Sequence, residues 1–397
     1  MKTHEIVIVG AGTAGITVAA QLLRKDAGLD IAIIEPSEVH YYQPAWTLVG
    51  GGDFNVRDTA KRMSDYMPKK AKWLRSRVTA LQPEQNQLTL EDGETVSYKF
   101  LVLCPGIQID WHKIKGLKET LGKNGVCSNY AYDQCEYTYE CIRNLNGGTA
   151  LFTNPNTPIK CGGAPQKIMY LACDNLRKRG LLDKTEVHFT SAGGVIFGVE
   201  PYKSSLEKVI KRYGIQTDWH LNLKEVRGES REAVYDVLEK GEPVGEKVLK
   251  FDMIHVVPPM SAPDFIKDSV LANKAGWVEV NKHHLYHPKF SNVFSLGDSA
   301  GSPNAKTGAA VRKQAPVVVS NLLAARRGAS GHESYNGYGS CPLITGYGKL
   351  ILAEFDYDGK PDESFPIDQS KERWSMYQMK KHFLPWMYWN RMLQGRA

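Results

Sequence analysis

No stretch of this 397-residue chain approaches the ~18 to 20 consecutive apolar residues that a membrane-crossing helix needs, so a transmembrane helix is excluded from the start. The seven cysteines, at positions 104, 127, 135, 141, 161, 173 and 341, include no C-x-x-C pair, which removes zinc-ribbon and thioredoxin spacings. The first apolar run, Ile6 to Val9, begins too early to leave room for a leader, so synthesis and folding in the cytoplasm are expected. In that reducing compartment a persistent disulfide would be catalytic sooner than structural. Acidic residues are scarce at the C-terminal end: from Lys371 to Ala397 there is one, Glu372, against six Lys or Arg, within a chain of net charge +7. Those cations alternate with aromatics and no nucleic-acid recognition motif accompanies them, so no nucleic-acid partner is expected.

A chain of this length exceeds the size at which one core usually divides, which predicts two domains plus an appendage. "EIVIVGAGTAGITVAAQLLRKDAGLDIAIIEPSE" reads as strand, glycine turn, helix and strand. Gly10, Ala11, Gly12 and Gly15 form G-x-G-x-x-G, and Glu35 closes the second strand 20 positions after Gly15. In such a unit the first glycine allows the tight turn, the second lets backbone approach a pyrophosphate, and the third lets the helix pack on the sheet. The helix N-terminus offers N–H groups to phosphate, and Glu35 is placed to accept hydrogen bonds from an adenosine ribose.

Two later segments resemble the FAD-returning parts of two-dinucleotide-domain flavoproteins. One is the strand Phe100 to Leu103 followed by Cys104-Pro105-Gly106; the other is "NVFSLGDSAG", with Gly297 and Asp298. The resemblance implies that Asp298 contacts the ribityl chain of FAD and that a helix beginning near Lys306 and Thr307 faces the flavin pyrimidine. Its positive end would favour an anionic reduced flavin. Gln43, in the aromatic stretch after Glu35, and the backbone of Val78 match further FAD contacts. The middle segment, "TEVHFTSAGGVIFGVEPYKSSLEKVIKRYG", keeps strand, Gly193-Gly194 and helix but lacks a second G-x-G-x-x-G. Without that phosphate cradle NAD(P)H is not the expected electron donor.

Cys161, in "NTPIKCGGAPQK", and Cys341, in "GYGSCPLITGYGK", each sit in a Gly-rich, Pro-bounded stretch expected to be a loop. If they met beside the flavin they would form a redox pair. Lys160 would then be the cation that depresses the Cys161 pKa. Together with "HVVPPMSAPDF", "AGWVEV", "NVFSLGD" and "FPIDQSKERWSMYQMKK", these motifs resemble, over nearly the whole chain, the eukaryotic-type (type II) sulfide:quinone oxidoreductases.

That resemblance implies an α/β fold with two Rossmann-like dinucleotide-binding domains and a C-terminal amphipathic membrane and quinone segment. FAD-binding parts are expected at 1–108 and 281–335, a second nucleotide-binding-like domain at 109–280, and a redox-cysteine and quinone region at 336–397. It implies a di- or polysulfide at Cys161 and Cys341, attack of hydrosulfide at Cys341, and non-covalent FAD. A ubiquinone-type quinone would accept the electrons, and sulfite, glutathione or cyanide the sulfane sulfur. Peripheral, monotopic attachment follows, at the cytoplasmic face of the inner membrane if the source is bacterial, with a homo-oligomer as a further expectation. Cys127 matches the place where some members of the wider family link flavin covalently, which type II members do not. A type II NADH:quinone oxidoreductase-like flavoenzyme and a non-catalytic flavin redox sensor are the alternatives; the first needs the missing phosphate turn, the second has no use for an electron exit.

Met379, Lys380, Phe383, Trp386 and Trp389 are the expected quinone or membrane residues, on a helix bent by Pro385. Basic residues beside Trp and Tyr suit a helix lying among headgroups. His283, His284 and His287 lack a cysteine or carboxylate at ligand spacing, so a solvated turn and no metal are expected.

Overall fold

The computed structural model describes residues 2–397. The apolar runs Lys2–Val9, Ile31–Ile34 and Thr95–Leu103 pair in parallel, with Lys72–Leu74 on one flank and Val293–Ser295 joining Thr95–Leu103. Such strands are buried on both faces and so read as continuous hydrophobic stretches. Gln87–Leu90 and Val78–Gln82 extend the sheet in antiparallel fashion, completing seven strands. Register decides function here. Val9 lies opposite Ile34 and Leu103, and Ser295 opposite Leu103. The carboxyl ends of four parallel strands therefore deliver Gly10, Glu35, Cys104-Pro105-Gly106 and Gly297-Asp298 to one edge, the place where open α/β sheets bind ligands.

A second, all-parallel sheet of five strands is built from Val126–Cys127, Met253–His255, Gly148–Asn154, Thr185–Ser191 and Gln216–Trp219. The α/β expectation of two Rossmann-like sheets holds. The chain passes between the two sheets at Gln108–Ile109 and Met260–Ser261, which pair with each other. An antiparallel hairpin, Gly339–Gly346 with Lys349–Phe355, then packs against the helix Ala164–Lys178.

From Trp374 to Met392 the chain is helical, alternating α (Trp374–Gln378, Leu384–Met387) and π (Met379–Phe383, Tyr388–Met392) winding. Pro385 has no N–H to give the preceding turn, and this is where the winding changes. The inner face of this segment, Tyr388, Trp389, Met392 and Leu393, belongs to the same apolar core as Ile16 and Ala19 of the first helix, Thr13–Lys25. No described helix is long and apolar enough to cross a membrane.

Candidate active site

The three glycines of the first loop meet three different demands. Gly10 has φ +99°, and a Cβ there would lie 2.6 Å from the Cys104 carbonyl oxygen. A Cβ at Gly15 would run into the Gly10 carbonyl, so its absence is what lets helix and strand touch. At Gly12 a Cβ would meet nothing within 4 Å: the backbone faces open space at the N-terminus of the helix Thr13–Lys25, whose first turn has no acidic residue. Open backbone at a positive helix end is a diphosphate cradle. Gly106, at the same sheet edge, also faces open space. The Glu35 carboxylate accepts from the Ala11 and Ser37 N–H groups, both at 2.8 Å, which fixes it beside the loop. These features fit FAD.

The return part of the edge is held by lysine. Lys306 Nζ donates to the carbonyls of Asp298 (2.7 Å) and Ala300 (3.0 Å) and sits 3.8 Å from the centre of the Trp277 ring. Burial lowers its pKa to about 8, against the pull of the Asp298 charge. Thr307 caps the helix Gly308–Arg326, its hydroxyl oxygen accepting from the Ala310 N–H at 3.2 Å. Gln314, not singled out from the sequence, accepts from the Gly297 N–H at 2.9 Å and locks the Gly-Asp turn. The side chain of Val78 is buried among Val9, Ile34 and Leu74, at the start of the antiparallel extension.

Cys161 and Cys341, 180 positions apart, lie with their sulfurs 3.5 Å from one another. Cys161 occupies a turn and adopts φ +59°, a left-handed conformation that costs a non-glycine residue about 1 kcal/mol or more. Two backbone bonds impose it: the Cys161 N–H donates to the Lys306 carbonyl (2.9 Å), and its own carbonyl accepts from Ala164 (2.8 Å). The thiol is thereby anchored to the FAD-returning loop. Cys341 is not in a loop, as its glycines had suggested, but inside the strand Gly339–Gly346, opposite Ala353. The glycines flanking Cys161 have a steric reason: a Cβ on Gly163 would overlap Cys341 Sγ, whereas Gly162 borders open space.

The cation at Cys161 is not Lys160. Lys160 turns away, donating to Gln43 Oε1 at 2.6 Å, and burial lowers its pKa to about 8. Instead Lys167 Nζ lies 2.9 Å from Cys161 Sγ. Lys167 stands at the fourth position of the helix beginning at Ala164, and helical side chains lean toward the N-terminus, which aims its ammonium back at the turn. The Cys341 thiol hydrogen bond, then Lys167, then Lys380 hold the Cys161 pKa well below the usual thiol range despite burial. Cys341 moves the other way, pushed up by the neighbouring Cys161 thiolate and by burial. Of the two, Cys161 is the resident thiolate.

The C-terminal helix divides its residues between two faces. Phe383 and Trp386 are exposed, about half of each surface, with ring centres 5.8 Å apart. Lys380 and Trp389 face inward, because they lie on the opposite side of the same helix. Lys380 donates to the Pro44 carbonyl at 3.0 Å; burial and the neighbouring Lys167 charge lower its pKa to about 7. Trp389 packs on Tyr66, ring centres 4.7 Å apart. Met379 is partly buried beside the hairpin core. Cys127 is wholly buried, its sulfur 3.4 Å from the Ile254 carbonyl within the second sheet. His287 is not in a solvated turn but buried, its Nδ1 accepting from the Lys289 and Phe290 N–H groups. Among the described residues no cluster of three or more potential ligands could hold a metal ion.

A dinucleotide-binding sheet with a complete glycine cradle, a second parallel sheet without one, and a thiol pair tied to the cradle's return loop define a flavoprotein of the disulfide-oxidoreductase class. Residues 4–138 match the pyridine nucleotide-disulphide oxidoreductase family. Over 99% of its length the chain is 49% identical to the mitochondrial sulfide:quinone oxidoreductase of Dictyostelium discoideum and 43% identical to that of Mus musculus, covering 86% and 87% of those proteins. It therefore belongs to the sulfide:quinone oxidoreductases. The Aquifex aeolicus sulfide:quinone oxidoreductase structure shares the fold, with a TM-score of 0.83 at 18% identity over 100% of this chain and 92% of that one.

Proposed function

We propose that this protein oxidises sulfide and passes the electrons to quinone, with Cys161 and Cys341 as the sulfur-handling pair. One observation carries the reading: two sulfurs at 3.5 Å, one of them 2.9 Å from a buried ammonium. Closing that gap by about 1.5 Å gives a disulfide; two S–S bonds of about 2.05 Å around one inserted sulfur span roughly what is already there. Either bridge is open to thiol exchange.

Hydrosulfide attacks the bridge at Cys341, forming a new S–S bond there and breaking the bond on the Cys161 side. The products are a Cys341 persulfide and, from the disulfide, a Cys161 thiolate or, from the bridge with an inserted sulfur, a Cys161 persulfide anion. Lys167 stabilises the leaving thiolate, which lowers the cost of the bond that breaks. A nucleophilic acceptor such as sulfite, glutathione or cyanide then takes the outer sulfur from Cys341. When bound, FAD would supply the two-electron oxidising capacity needed to re-form the bridge, with quinone as the final acceptor. The chain's part is to hold it: Gly10, Ala11, Gly12 and Gly15 at the diphosphate, Glu35 at the ribose, Gln43, Val78, Gly106, Gly297, Asp298, Lys306 and Thr307 along its length. Phe383 and Trp386 form the face that meets the bilayer, as a monotopic contact, with Met379 and Lys380 on the side toward the quinone.

Anaerobic sulfide together with sulfite should bleach the flavin absorbance and decylubiquinone should restore it. Cys161→Ser and Cys341→Ser should each abolish rapid bleaching; full turnover in either variant would refute the pair.

A further inference from the structure

The C-terminal helix reaches into the diphosphate loop through one buried hydroxyl. His40, in the short strand Val39–Tyr41 just beyond Glu35, places Nδ1 3.1 Å from the Ala11 carbonyl and Nε2 2.6 Å from the Tyr388 hydroxyl. A carbonyl only accepts, so Nδ1 carries the proton. Burial lowers the imidazole pKa to about 4, so at neutral pH there is no second proton, and Nε2 accepts from Tyr388. The Tyr388 oxygen in turn accepts from Thr13 Oγ1, at 2.8 Å. The sense of every bond in the chain Thr13–Tyr388–His40–Ala11 is therefore fixed.

Both ends of that chain are in the loop. Ala11 is clamped on two sides, its N–H by Glu35 and its carbonyl by His40. Thr13 begins the helix whose N-terminus faces the open space at Gly12. Tyr388 and His40 are 5% and 2% exposed, so neither can exchange its partner for water without opening the core. Beyond Tyr388 the chain stays on the first helix, where a Cβ at Gly395 would lie 2.8 Å from the Gln21 nitrogen. The helix that exposes Phe383 and Trp386 is thus seated on the machinery that fits FAD.

We propose that Tyr388 is a positioning residue for the diphosphate loop, and that FAD binding and seating of the C-terminal helix are reciprocally linked. The proposal rests on the assignment of FAD to this cradle. Linkage is symmetric: whatever the seated helix adds to FAD affinity, FAD adds to the seating of the helix. Loss of the cofactor would loosen the segment that carries the exposed aromatic face.

The test uses the full chain stripped of FAD and titrated with it, following flavin fluorescence, with hydrogen exchange of residues 384–395 measured with and without FAD. Tyr388→Phe removes one hydroxyl and keeps the ring. It should weaken FAD binding roughly 3- to 10-fold, the scale of one or two neutral hydrogen bonds. In the wild type FAD should slow exchange in 384–395, and in the variant that protection should shrink. A tyrosine that only stabilised the core would change exchange equally with and without FAD. Equal FAD affinity in the two proteins, or FAD-independent exchange in this segment, would overturn the linkage while leaving the cofactor assignment standing; failure of the wild type to take up FAD would remove both.

Discussion

Lys167 Nζ and Cys161 Sγ are 2.9 Å apart, and Lys167 is almost wholly buried. Burial works against its charge, yet the Cys161 thiolate beside it raises its pKa above that of an ordinary lysine. Ammonium and thiolate are each stable in this interior because the other is there. The sign follows: a pKa depressed by a cation means thiolate persists to lower pH, and removing the cation returns the proton. Lys167→Met, which keeps the aliphatic length, should move the alkylation pH profile of Cys161 in the reduced protein upward and so lower the thiolate fraction near neutral pH. Iodoacetamide rates between pH 5 and 9 check this. An unshifted profile would reassign the depression to Cys341 and Lys380.

Gly163 tests the pair from its other side. A methyl there would overlap Cys341 Sγ and the Leu343 side chain, so the sulfurs must separate or the turn must shift. Gly163→Ala should slow sulfide-driven bleaching by about tenfold or more, in keeping with the cost of misplacing reacting groups by an ångström. FAD affinity should hold, since Gly163 does not border the glycine cradle. Gly162→Ala, with open space before it, should be much milder, and the ratio of the two rates is the measurement.

The sequence made the dinucleotide half legible because its signals are local: a glycine turn, its helix and an acidic residue 20 positions later all lie within one βαβ unit. The Cys161–Cys341 pair was legible only through family resemblance, since nothing in the spacing of residues 180 apart shows that they meet. Lys167 does carry a sequence signal. It lies six positions after Cys161, inside a helix whose start Pro165 marks, and a side chain leaning toward the N-terminus reaches the turn. Lys160 is adjacent in sequence, but Cys161 sits in a left-handed turn and the Lys160 ammonium leaves toward Gln43, so adjacency does not bring it to the sulfur. The inward placement of Trp389 and Lys380 is likewise not legible in the sequence. Composition marked the segment as amphipathic, but which face is inward depends on winding, and two π stretches shift the face expected from a regular α-helix.

The loop glycines separate cofactor binding from folding. Gly15→Ala forces a methyl into the Gly10 carbonyl, an overpacking that costs about 1–3 kcal/mol and should lower the melting temperature of the FAD-free protein. Gly12→Val places its side chain in the open space before the helix N-terminus, so the FAD-free protein should melt within a few degrees of wild type while FAD uptake is lost. Thermal melts paired with flavin titration distinguish the two. A Gly12→Val protein that binds FAD normally would show that the diphosphate does not pass this loop.

The outward and inward faces of the C-terminal helix make opposite demands on substitution. Phe383 and Trp386 are exposed side by side, an arrangement that adds apolar area without contributing to the core. Replacing both with Ser removes roughly 200 Å² of exposed aromatic surface while leaving Tyr388, Trp389 and Met392 in place. The double variant should therefore melt like wild type, bleach with sulfide at the wild-type rate, and lose co-flotation with phospholipid vesicles. Trp389→Ser acts on the inner face, where the ring packs against Tyr66 and His40, and should destabilise the protein by about 3–5 kcal/mol, the range for emptying a large aromatic site. If vesicle binding survives the loss of Phe383 and Trp386, the bilayer meets a different surface and the quinone must enter from there.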